Sequence, residues 1–171
     1  MNEFQIIKKH KEKITELFEL YSDKLFAYAF GITRNAQEAR DIVADAFLKA
    51  AGERRIIEDD FNCRAWLYKV VTNGSRNFMS RFFSKFLNFS NFDLDAYFKS
   101  DSNTCDQAIR ISEFAGLSKV LEKLDRREKQ MVFLKYYEEM TYKEISEITG
   151  ISEASVATVV SRALRRLKNE F

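Results

Sequence analysis

Apolar residues recur every three to four positions along most of this chain, and each such run predicts an amphipathic helix. Over residues 4–30, Ile14, Leu17, Phe18, Tyr21, Leu25 and Tyr28 share one stripe, and Gly31 is expected to end or break the helix. Asn35 followed by Glu38 marks the next start. That helix runs to about Ala51 and buries Ala39, Ile42, Val43, Ala46, Phe47 and Ala50. Residues 52–62 have no period and read as a loop. From Cys63 the pattern resumes, with Trp66, Leu67, Val70, Val71, Gly74 and Phe78 as the expected buried side. It lapses over 87–112, where Asn, Ser and Asp dominate. It returns over Ser112–Leu124 through Phe114, Leu117, Val120, Leu121 and Leu124. Asp125 with Glu128 caps a further helix to about Met140.

The clearest pattern is Thr141–Leu167. Thr141 and Glu144 make a capping box, and Tyr142, Ile145 and Ile148 form the apolar face behind it. Gly150 suits the left-handed residue that ends a helix, Ile151 plugs the turn, and Ser152 caps a second helix. There Val156, Val160, Ala163 and Leu167 point inward, while Ser155, Thr158, Ser161, Arg162 and Arg165 point outward. Short donors for base edges that run into cations for phosphate suit a helix entering a major groove. The pattern predicts a helix-turn-helix; a plain helical hairpin with a solvated face is the alternative.

Composition narrows the fold. The 171 residues include no proline and only five glycines, and 46% are hydrophobic, so an all-α fold is expected. A linker as long as 87–111 is unusual inside one compact domain. The expectation is therefore two small helical domains, 1–86 and 112–171, joined by a flexible linker, 87–111.

Net charge is only +2, but its distribution is uneven. Residues 61–92 carry five basic residues and no acidic one. Within that block Lys69, Asn73, Arg76, Asn77 and Ser80 share a face, and Tyr68, Phe82, Phe83, Phe86, Phe89 and Phe92 supply rings. Cations for the backbone and aromatics for stacking compose a single-strand binding surface, although most of these rings are also expected in the core. On the second helix Glu38, Asp41 and Asp45 draw an acidic line. It is either a solvated face or a docking strip for a basic partner.

Several classes are disfavoured. No glycine-rich phosphate loop and no nucleophile–base pair appears, so no enzyme and no cofactor is expected. Cys63 and Cys105 form no CxxC and have no histidine near them in sequence, so no metal site is expected. No apolar run is of signal-peptide type or approaches a membrane span, and a cytoplasmic protein without membrane insertion is expected.

Together these segments resemble the bacterial RNA polymerase sigma factors of the extracytoplasmic-function (ECF) type, in the sigma-70 family. LFELYSDKLFAYAFGITRNAQEARDIVADAFLKA is similar to the family's region 2, CRAWLYKVVTN to its FRAWLYRIARN, and LDRREKQMVFLKYYEEMTYKEISEITGISEASVATVVSRALRRL to its region 4. The likeness covers about residues 12–168.

The resemblance implies a non-enzymatic initiation factor. It binds core RNA polymerase (the β′ clamp helices and the β flap) and directs promoter-specific transcription. Glu38, Asp41, Asp45, Phe47 and Leu48 then lie at the polymerase-binding position. Asp60, Phe61, Asn62, Arg64, Lys69, Asn73, Arg76, Asn77 and Arg81 lie where the family captures and melts the −10 strand. Ser152, Glu153, Ser155, Ala157, Thr158, Ser161, Arg162 and Arg165 lie where it reads the −35 element. The acidic linker would follow the path of nascent RNA. Promoter DNA is the other partner, and an anti-sigma factor or a recruiting factor is a further one.

Four departures stand out. The family often has cations where this chain has Thr72, Ala157 and Val159, which implies fewer phosphate contacts on the DNA faces. Cys63 replaces a common Phe. The rival functions are a helix-turn-helix regulator that works without polymerase, and a polymerase-binding protein that needs a partner for DNA targeting.

Overall fold

The computed structural model describes residues 2–86 and 124–168. The expected linker and all but the last residue of the helix expected over Ser112–Leu124 lie outside the described residues. The chain divides into two compact units, Met1–Phe82 and Phe83–Phe171. Among the described residues the regular structure is helical throughout.

Unit 1 begins with α1, Glu3–Thr33. Asn2 Oδ1 accepts from the Gln5 amide at 2.9 Å and Gln5 Oε1 accepts from the Asn2 amide at 3.0 Å, which satisfies two donors of the first turn. The helix runs through Gly31 and stops at Arg34, which takes the left-handed conformation at φ 53°. The expected stop fails because the next residues are anchored. Ile32 and Thr33 are buried, and the Thr33 hydroxyl donates to the Ala29 carbonyl at 2.9 Å.

Helix α2, Ala36–Gly52, starts at Asn35, whose side chain accepts from the Glu38 amide. It buries the six residues expected of it. The stretch expected as a plain loop contains a 3-10 turn, Arg54–Ile57, which drives Ile56 into the core.

Helix α3 spans Cys63–Phe86. Its buried stripe is Leu67, Tyr68, Val71, Thr72, Ser75, Met79 and Phe82. Trp66, Val70, Gly74 and Phe78 are only half-buried. The helix is therefore rolled by about one position from the apolar pattern. The cause is a polar contact and a close approach. Tyr28 Oη and Thr72 Oγ1 hydrogen-bond at 2.8 Å, and the Tyr28 and Tyr68 rings meet edge to face at 5.1 Å. A Cβ on Gly74 would stand 3.0 Å from Cγ2 of Ile42, so this glycine lets α2 and α3 approach.

Unit 2 opens its described part with α4, Arg126–Val132, capped reciprocally by Asp125 and Glu128. The helix expected to reach Met140 instead loosens into a π-helical turn, Phe133–Tyr137, and Glu139 then takes φ 52°. The Lys135 ammonium donates to the Met140 carbonyl at 3.1 Å and ties this turn to the residues that follow it. Helix α5, Tyr142–Thr149, has the expected Thr141–Glu144 box and the expected left-handed Gly150 at φ 73°. Helix α6, Glu153–Lys168, buries Val156, Val159, Val160 and Ala163, and Leu167 packs on Leu124, Val132 and Ala163.

Candidate functional site

Three polar surfaces follow from this framework. The first lies on α2. Burial of Ala39, Ile42, Val43, Ala46 and Phe47 turns Asp41, Asp45 and Leu48 outward. Asp41 accepts from Gln37 Nε2 at 3.0 Å, and Asp45 pairs with Lys49 at 2.7 Å. Both contacts are exposed and weak in water, so they leave the carboxylates open to a partner. Leu48 is 73% exposed, beside these acids. Phe47 does not join them: it is 7% exposed, with its ring edge to face against Phe18 at 5.0 Å. Phe18 is the residue that reaches solvent, at 52% exposure. The stripe it shares with Leu17 and Tyr21 predicts a packed position; its exposure depends on where α2 crosses, which no local pattern encodes.

The second surface is a cleft of about 540 Å³ in unit 1, whose wall mixes the cations Lys9, Lys13 and Arg64 with the acids Glu12, Glu16, Glu58 and Asp59 around Phe61. The Asn62 side chain accepts from the Ala65 amide at 3.0 Å and so caps α3. Phe61 lies with Arg55 Cζ 4.8 Å from its ring centre and the Trp66 ring 6.2 Å away. Arg55 in turn grips Glu53 through Nε and Nη2 at 2.9 and 2.8 Å. That fork pulls the Glu53 carboxyl down to about 2 and pushes the Arg55 guanidinium up. Cys63 is buried at the cleft floor, and burial pushes its thiol up.

Asp60 is exposed on the loop that enters the cleft. Along α3, Lys69, Asn73, Arg76, Asn77 and Arg81 are all exposed on one side, while Arg64 is half-buried at the helix start. The expected −10 residues thus divide between a cleft wall and a helix face. Thr72 belongs to neither. It is 1% exposed and bonded to Tyr28, so a cation at this position would not face solvent.

The third surface is α6. Ser152, Glu153, Ser155, Thr158, Ser161, Arg162 and Arg165 are exposed, and Ala157 is half-buried. Ser152 Oγ donates to Ser155 Oγ at 2.8 Å, and Thr158 Oγ1 donates to the Ala154 carbonyl at 2.8 Å. Their oxygens still present acceptors outward. Val159 is buried, so its apolar character serves the core and removes nothing from the outer face.

Arg162 carries a second duty. Its Nε donates to Glu128 Oε1 at 3.0 Å, and Arg166 Nη1 donates to Glu128 Oε2 at 2.8 Å. Glu128 is fully buried, and it also accepts from the Asp125 amide at 3.1 Å. One carboxylate therefore caps α4 and ties α6 to it. Arg166 was missed in the sequence. The i, i+4 spacing of Arg162 and Arg166 was the available signal, but their shared partner lies more than thirty residues away.

Among the described residues no group of acidic, histidine and cysteine side chains is placed to hold a metal, and no helix is long and apolar enough to cross a membrane.

Residues 17–81 match the family model for Sigma-70 region 2, and residues 115–167 match that for Sigma-70, region 4. The chain belongs to the sigma-70 family of RNA polymerase sigma factors, in its ECF branch. It is 27% identical to the RNA polymerase sigma factor YlaC of Bacillus subtilis over 95% of this chain and 94% of that protein. It is 25% identical to the ECF RNA polymerase sigma factor SigM of the same organism over 91% and 93%. The fold is similar to that of the sigma factor RpoE of Bartonella quintana, solved in complex with the anti-sigma factor NepR. The TM-score is 0.65 at 19% identity, over 91% of this chain and 94% of that one.

Proposed function

We propose that this chain binds core RNA polymerase and directs promoter-specific initiation by two DNA contacts, −10 strand capture with melting and −35 recognition. In this reading Asp41, Asp45, Leu48 and the exposed ring of Phe18 meet the β′ clamp helices, a surface of opposite charge with an apolar centre. The cleft at Phe61 and the face Lys69–Arg81 hold the unpaired non-template strand, with cations on phosphate and a ring for stacking. Unit 2 rests on the β flap, and α6 enters the major groove through Ser155, Thr158, Ser161 and Arg165. Arg162 stands back from phosphate because Glu128 holds it. An anti-sigma factor would act by covering one of these surfaces.

The observation that carries the reading is the outward face of α3. Its polar side chains are cationic or neutral, and no acid occurs from Phe61 to Phe92. A merely solvated helix has no reason to exclude acids.

A second reading has one observation behind it. Two of the arginines on α6 are paired with a buried carboxylate, which leaves few cations for DNA. On that reading the chain binds polymerase and a partner supplies DNA targeting.

The test is co-elution of the purified chain with bacterial core RNA polymerase, followed by mapping of transcript 5′ ends made from genomic DNA. Discrete new starts are expected. Binding without new starts would favour the second reading, and no binding would sink both. Asp41→Lys with Asp45→Lys is expected to abolish co-elution with the circular-dichroism spectrum unchanged, since both side chains are exposed.

A further inference from the structure

We infer that Glu53 and Arg55, with His10 behind them, are positioning residues that hold the Phe61 ring as a preset stacking platform in the cleft. The inference rests on the strand-capture reading of that cleft.

A platform for an incoming base must be ordered before the strand arrives, because ordering it during binding weakens the complex. Phe61 sits on a loop, where a half-buried side chain ordinarily keeps rotamer freedom. Its backbone here is fixed from both sides. The Phe61 amide donates to the Glu58 carbonyl at 3.2 Å, and the Phe61 carbonyl accepts from the Cys63 amide at 2.8 Å. The ring itself has two neighbours, the Arg55 guanidinium and Trp66.

A guanidinium covers a ring well only if its plane is held. Glu53 supplies that hold. Its two oxygens take both sides of the Arg55 fork, and Oε1 also accepts from the Arg55 amide at 3.2 Å. Glu53 is itself pinned through its backbone. Its amide donates to the Ala50 carbonyl at 3.1 Å, and its carbonyl accepts from the Ile56 amide at 3.3 Å and from His10 Nε2 at 2.9 Å. His10, the chain's one histidine, reaches from the first turns of α1 to do so.

Two side chains, Arg55 and Trp66, thus meet the ring, and Glu53 and His10 stand behind Arg55 in turn. An exposed Glu–Arg pair adds little to fold stability, so the weight of this arrangement lies in geometry.

The experiment uses the full chain assembled with core RNA polymerase. The probe is a fork-junction DNA whose single strand carries the non-template −10 sequence of a start site mapped as above. A second readout, iodide quenching of Trp66 in the free chain, reports loop order without DNA; Trp66 is the only tryptophan. Arg55→Met and Glu53→Gln are expected to raise quenching and to weaken fork binding about 2- to 5-fold, with polymerase co-elution unchanged. Arg55→Lys keeps the charge but not the planar fork, and it is expected to behave like Arg55→Met. Phe61→Ala is expected to weaken fork binding about tenfold or more, and Arg55→Met added to it should cost nothing further.

Rescue by Arg55→Lys, or a full effect of Arg55→Met without the ring, would overturn the inference alone, since Arg55 would then act as a charge. Wild-type fork binding and quenching in Arg55→Met and Glu53→Gln would do the same. Wild-type binding by Phe61→Ala would overturn the strand-capture reading and the inference with it.

Discussion

Helices α3 and α6 each turn a polar face to solvent and an apolar stripe inward, yet they are set in place by different means. On α3 the roll is fixed by contact. Gly74 admits Ile42, Tyr68 meets Tyr28, and Thr72 bonds the Tyr28 hydroxyl. On α6 the roll is fixed by charge, through the two arginines on Glu128. The difference teaches that a cation near a DNA-facing surface is not automatically a DNA contact. Lys69, Arg76 and Arg81 are exposed along one side of α3 and Arg165 is exposed on α6, whereas Arg162, the other outward arginine expected at −35, holds an internal carboxylate.

The strongest way to break this contrast is at Glu128. Glu128→Leu removes a cap and the tether at once. Because both arginines remain more than half exposed and rehydrate, the expected loss is about 3 kcal/mol, the lower end for breaking a buried pair. Thermal melting should show it as an early loss of helical circular dichroism with Trp66 emission unmoved, since Trp66 lies in unit 1. A single shifted transition seen by both probes would mean the unit 1 signal depends on this clamp.

The glycines sharpen the other side of the contrast. Gly74→Ala places a methyl at 3.0 Å from Ile42, and overpacking is expected to outweigh the helix-propensity gain by roughly 1 kcal/mol. In an Ile42→Ala background, which lacks the clashing Cγ2, Gly74→Ala should no longer destabilise. Gly31→Ala meets nothing within 4 Å and lies inside α1, so the same substitution there should stabilise by about 0.5–1 kcal/mol. Opposite signs in denaturant midpoints followed by Trp66 emission are the check; equal signs would refute the account of Gly74.

The smallest effect concerns acid. Arg55 depresses Glu53 from 4.5 to about 2, so the ionised fork contributes fully above 4.5 and is lost as pH falls toward 2. Trp66 quenching by a neutral quencher such as acrylamide reads the fork in the folded chain, so it should stay flat from pH 7 to about 3 and rise only as pH nears 2. In Glu53→Gln that rise should be absent.

Much of this was legible from local patterns. The caps at Asn35, Asp125 and Thr141 and the left-handed Gly150 were all read correctly, because a cap is decided within four residues. The buried set of α2 was read without error, since a clean apolar stripe leaves one solution. What escaped depended on distant partners. Gly31 did not stop α1 because Thr33 is anchored in the core. The roll of α3 depends on Tyr28, more than forty residues away, and a stripe that includes Thr72 and Ser75 does not look apolar. The same holds at the site. The exposed faces of α3 and α6 follow from periodicity, whereas the exposure of Phe18 over Phe47 and the capture of Arg162 by Glu128 are products of assembly.

Glu139 sits in the left-handed region at φ 52°, where a residue with a Cβ is disfavoured and glycine is at ease. Glutamate and glycine codons can differ by a single base, GAA against GGA. Relief of this turn is therefore one mutational step away, with no intermediate to cross. A population pressed by heat would reach Glu139→Gly early, and the allele should surface among the first suppressors of destabilising lesions in unit 2.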